Sequence, residues 1–82
     1  MTLQEVAAEL ARRLDAELQP QENPDERLIQ GKGYQIVVAP FFGGWQATLL
    51  IPGDKPLPFF CENVDMLEVR IKARLTGKEY RF

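Results

Sequence analysis

Histidine is absent from this chain, and cysteine occurs once, at Cys61. Without an imidazole there is no ordinary zinc ligand set and no histidine general base. A lone thiol closes no internal disulfide. Both features fit a reducing compartment. No apolar run approaches the length that spans a bilayer, and no basic stretch followed by an apolar one opens the chain. No membrane segment or signal peptide is therefore read, and the expected location is cytoplasmic. A strong charge imbalance is also missing. The net charge of −2 gives no general pull toward nucleic acid or membrane. The carboxylates of Asp15, Glu17, Glu22, Asp25 and Glu26 lack the spacing of a calcium loop. Gly31-Lys32-Gly33 is followed by no helical pattern and belongs to no phosphate loop. No metal or cofactor is expected. An enzyme is not expected either, because so short a chain without histidine would need carboxylate or lysine chemistry in a pocket it can barely build.

What the chain does contain is an ordinary globular composition, 45% hydrophobic and 27% charged over 82 residues. One small α+β domain over 1–82 is expected, with a polar connector at 19–27 and a C-terminal tail at 76–82. The charge is unevenly distributed. Residues 1–30 hold Glu5, Glu9, Asp15, Glu17, Glu22, Asp25 and Glu26 against Arg12, Arg13 and Arg27. Residues 66–82 hold Arg70, Lys72, Arg74, Lys78 and Arg81 against Glu68 and Glu79.

The organising stretch is Gly33–Ile51, read as a β-hairpin turning at Gly43-Gly44, where glycine supplies the positive φ of a tight turn. That turn places Phe42 opposite Trp45, Pro40 opposite Ala47, Val38 opposite Leu49 and Ile36 opposite Ile51. With Tyr34 these side chains share the core face. Gln35, Val37, Ala39, Phe41, Gln46, Thr48 and Leu50 fall on the other. Thr2 to Leu18 reads as an amphipathic helix with a Thr2/Glu5 capping box and a stripe of Leu3, Val6, Ala7, Leu10, Leu14 and Leu18. Gln19-Pro20 ends it, and Glu9 can pair with Arg13. Asn23-Pro24-Asp25 and Pro52–Pro56 are turns. Leu28-Ile29-Gln30 is a short strand or the lead-in to the hairpin. Leu57 to Cys61 is a third strand, at an edge because Pro58 has no N–H. Residues 67–75 alternate like a strand. The N-cap candidate Asn63, Asp65 in the first turn, the Glu68–Lys72 pair and Gly77 as a C-cap favour a helix instead, which leaves Met66, Val69 and Ala73 on an exposed strip. The expected fold is α-β-β-β-α: two helices on one face of a three-stranded antiparallel sheet.

That element order is similar to double-stranded RNA-binding domains. The resemblance stops at element order. Where those domains carry a lysine cluster, this chain has Glu62, Asn63, Val64, Asp65 and Met66, and their loop histidine has no counterpart. No functional residue is carried over.

The candidate site residues follow from the pattern. Phe41, Phe42 and Trp45 at the hairpin tip, with Val37 and Leu50 on the second sheet face, are expected to bind a protein partner, self-association included. The bland alternatives are that Phe42 and Trp45 close the end of the core and that the second face is simply wet. Arg70, Arg74, Lys78 and Arg81 form a basic ridge that would serve nucleic acid, or merely a solvated helix end. Cys61 is expected to be a buried structural thiol. The expected function is that of a small non-enzymatic interaction module, as regulator, adaptor or inhibitor. Nucleic-acid binding through the ridge is the alternative.

Overall fold

The computed structural model describes residues 1–77. The chain runs α1 (Leu3–Arg13), β1 (Glu17–Leu18), β2 (Arg27–Gly31), β3 (Tyr34–Phe41), β4 (Gly44–Leu50), β5 (Leu57–Cys61), α2 (Val64–Leu75). The sheet is an antiparallel meander in sequence order, β1-β2-β3-β4-β5. It has five strands and not the three expected from sequence. Both helices lie on the face that carries the buried side chains of the strands.

The first helix starts as its sequence dictates. Thr2 Oγ1 accepts from the Glu5 N–H at 3.1 Å, and Glu5 accepts from the Thr2 N–H at 2.8 Å. This capping box holds the Glu5 carboxyl below the usual carboxylate range. Val6, Ala7, Leu10 and Ala11 are buried. The helix ends earlier than its apolar stripe suggests. Asp15 takes a left-handed conformation (φ 55°). Its N–H reaches Arg12 O at 3.2 Å, and the Ala16 N–H reaches Ala11 O at 2.9 Å. This is a Schellman ending with aspartate where glycine is usual. Leu18 continues the stripe in sequence but belongs to edge strand β1, opposite Ile29.

Strands β3 and β4 form the hairpin, with its turn one residue earlier than expected. Phe41 pairs with Gly44, Pro40 with Trp45, Val38 with Ala47 and Ile36 with Leu49. The two loop residues are Phe42 (φ 41°) and Gly43 (φ 81°), both positive as a type I′ turn requires. Gly44 is kept for a different reason. A Cβ there would lie 2.7 Å from the Cys61 carbonyl oxygen of β5. The pairing thus differs from the expected one by two residues, which leaves the side chains of the paired residues on their expected faces and moves Phe42 into the turn. Tyr34, Ile36, Val38, Ala47 and Leu49 are buried as read.

Strand β5 is an edge, as Pro58 requires, and Cys61 is buried at its end. Helix α2 is capped by Asn63, whose side chain accepts from the Met66 N–H at 2.9 Å. It buries Val64, Leu67 and Ile71. Its end is made by Thr76, bonded to Lys72 O through both its N–H and its hydroxyl, and Gly77 takes no left-handed turn. The two helices are tied by Arg13. Its guanidinium donates to Asp65, to Glu68 at 3.1 Å and to Glu9 at 2.7 Å. Hydrogen bonds from Arg12 and Arg13 draw the Glu9 carboxyl down to about 2. Lys72, then Arg13, lowers Glu68.

Candidate functional site

Both helices lie on one side of the sheet, and among the described residues its other face is uncovered. Strand alternation and the pairing register define that face row by row. Nearest the hairpin tip Phe41 lies beside Gly44. The next row is Ala39, Gln46 and Phe60. The central row is Leu28, Val37, Thr48 and Pro58, and the far row is Gln30, Gln35 and Leu50. On β2 to β5 no outward side chain is charged. In a chain that is 27% charged, this is the composition of an interface core more than of a solvated surface.

The polar groups on the face are already paired with one another. Gln35 Nε2 donates to Gln30 Oε1 at 2.7 Å. Gln30 Nε2 donates to the carbonyls of Gly31 (2.8 Å) and Tyr34 (3.1 Å). Gln46 Nε2 donates to Thr48 Oγ1 at 3.3 Å. Covering such a face removes fewer water hydrogen bonds than covering open amides would, so its desolvation cost is reduced.

The tip carries three phenyl rings. Phe41 stacks edge-on against Phe42 (centroids 4.6 Å apart) and tilts against Phe60 (4.7 Å). Phe42 is 95% exposed, Phe60 50% and Phe41 40%. A bulky side chain held at positive φ is strained by about 1–2 kcal/mol, and asparagine or glycine would fit the turn better. At the opposite end of the hairpin a hollow of about 330 Å³ opens between Gln30, Gly33, Tyr34, Gln35, Leu50, Ile51 and Pro52.

The structure separates the residues that sequence reading grouped at the tip. Phe41 lies on the open face, and Phe42 stands out from the turn. Trp45 turns the other way, half-buried against the core opposite Pro40, so it adds no area to the open face. Phe42 was expected on the core face and is instead the most exposed large apolar side chain among the described residues. Val37 and Leu50 lie on the open face, half-buried by their neighbours. Phe60 was missed, although alternation from edge residue Pro58 through Phe59 would have put it outward. The exposed strip on α2 is present, with Met66 42% and Val69 67% exposed.

The basic ridge is partly engaged. Arg70 is exposed, but Arg74 pairs with Asp54 at 3.0 Å. Lys78 and Arg81 lie outside the described residues. Another basic residue, outside the ridge, is unexpectedly buried. Arg27, taken as the end of a polar connector, opens β2 on the inward side and is 8% exposed. Its Nη2 donates to Gln19 O at 3.1 Å, which ties the connector to the sheet, and its Nε meets no acceptor among the described residues.

Among the described residues no group of three or more metal-ligating side chains is gathered, and no helix is long and apolar enough to cross a membrane. Searches against protein-family models, curated proteins and solved structures found no match to the chain.

Proposed function

We propose that this protein works by binding another protein chain through the uncovered sheet face and the aromatic hairpin tip. The observation that carries the reading is the composition of that face: apolar and amide side chains, internally paired, without a charge on β2 to β5. Phe42 adds to it. Strained backbone beneath an exposed ring costs folding stability, and it persists most readily where the ring has a use. Val37 and Leu50 supply central contact area, and Phe41, Phe42 and Phe60 supply anchors. The basic ridge is a poorer candidate for nucleic acid, because Arg74 is already paired with Asp54.

The test is affinity capture from lysate of the native cells, with and without nuclease, using the parent and a Val37→Glu variant. The expected result is a nuclease-resistant protein partner, a second copy included, retained by the parent and lost by the variant. Identical captures by both proteins would count against the reading, as would loss of every partner on nuclease treatment.

A further inference from the structure

Resting on the open face as a contact surface, we infer that its occupant is a second copy of this chain. The two sheets pack face to face about a twofold axis that lies in the interface and runs perpendicular to the strands.

Neutrality selects the partner. A charged partner would leave its charges desolvated and unpaired against a face that offers no counter-charge. A second copy presents the same apolar rows and the same amides whose Nε2 groups already donate within the chain.

The rim charges select the orientation. Glu62 follows β5 at the tip end of the sheet, and Lys55 precedes β5 at the far end. Both are exposed, and neither has an ion-pair partner among the described residues. On the β2 side, the acidic connector Glu22–Glu26 lies toward the tip and Lys32 at the far end. An axis perpendicular to the strands lays β5 over β5 in reverse. Glu62 of each copy then comes over Lys55 of the other, and the acidic connector turns toward Lys32. The same operation brings the Phe42 ring toward the hollow beside Gln35 and Leu50 at the opposite end. An axis along the strands does the reverse: it stacks Glu62 on the acidic connector, Lys55 on Lys32 and tip on tip. Glu17 on the β1 rim gains no opposite neighbour in this packing, and Lys32 faces more than one carboxylate of the connector.

Four strands about 4.8 Å apart and on average about six residues long at 3.4 Å each give roughly 400 Å² in plan. Side-chain relief, the tip and the rim bring this toward the ~800 Å² per partner of a standard interface. The dimer is therefore of modest affinity and responds to concentration.

Sedimentation equilibrium of the full chain, across the micromolar range, tests this. The parent should shift from monomer to dimer with rising concentration. Val37→Glu should remain monomeric with the circular dichroism of the parent. Lys55→Glu and Glu62→Lys should each weaken the dimer by about tenfold, an effect that fades at high salt. Both side chains are exposed, and neither makes an ion pair among the described residues, so both variants should fold. The mixture of these two single variants should form heterodimers at parental strength, and the double variant should regain the homodimer. A parent that stays monomeric, or a dimer indifferent to Val37→Glu and to both charge reversals, overturns the inference. If the parent is monomeric while Val37→Glu still loses a captured foreign protein, the second copy is wrong and the contact surface stands. If Val37→Glu changes neither the mass nor the captures, both fall.

Discussion

The two faces of this sheet are built from the same strands and share their backbone, yet they differ in kind. Leu49 and Leu50 are neighbours in sequence. Leu49 is 1% exposed beneath the helices, whereas Leu50 sits half-buried in the far row of the uncovered face. The helix-covered face is closed by α1 and α2, and the helices are held together by the Arg13 cluster at their outer edge. Among the described residues the uncovered face has no such closure, and no charge on β2 to β5 keeps it wet. The difference teaches that an apolar row stabilises the monomer only where an element of the same chain covers it. Where none does, the same chemistry is available to another chain.

The sharpest way to break this comparison is to truncate the two leucines separately. Leu49→Ala should cost about 2–5 kcal/mol by transfer and cavity terms. Leu50→Ala, at protein concentrations low enough to favour the monomer, should cost about 1 kcal/mol, as its burial is partial. Urea denaturation of both variants checks the difference, and equal losses would show that the uncovered face is core after all.

Next in size is the tip. Phe42→Asn should stabilise the monomer by about 1 kcal/mol by relieving the left-handed phenylalanine. It should also weaken association, so the melting temperature and the association constant move in opposite directions. On the covered side, Thr2→Ala removes one half of the capping box and should cost about 1 kcal/mol, read by thermal melting, without changing association.

The smallest effect concerns pH. Glu9 titrates at about 2 in the folded chain, below its unfolded value. A lowered carboxylate stabilises the fold above its unfolded pKa, and that contribution is lost as pH falls through the folded value. Stability should therefore decline between about pH 4.5 and pH 2. Glu9→Gln should flatten that decline in denaturation midpoints measured at each pH.

Much of this arrangement was legible in the sequence. Strand alternation has a period of two, so the face of each hairpin residue survived a pairing error of two residues. The register did not. Gly43-Gly44 looks like the turn by composition, but Gly44 is required flat against β5 and the left-handed position falls to Phe42. Helix α2 was readable because Asn63, Asp65 and the Glu68–Lys72 pair agree, against an alternation that fits a strand. Helix α1 was overextended because Leu14 and Leu18 keep helical spacing across a Schellman turn that carries no glycine. Strand β1 is two residues long and has no pattern of its own, and β2 was blurred by Arg27, an inward arginine where alternation calls for an apolar residue. Val37, Leu50 and Phe41 could be placed on the open face from sequence. Phe60 was hidden in the run Leu57–Cys61. The Lys55–Glu62 relation depends on where β5 begins and ends in the sheet, which local pattern does not reveal.

The concentration dependence of the denaturant midpoint reports on self-association through the open face, because a partner that binds only the folded chain raises stability by mass action. A dimer through the open face gives the parent a midpoint that climbs with protein concentration and leaves that of Val37→Glu constant. A parental midpoint that is flat over the same range would contradict it.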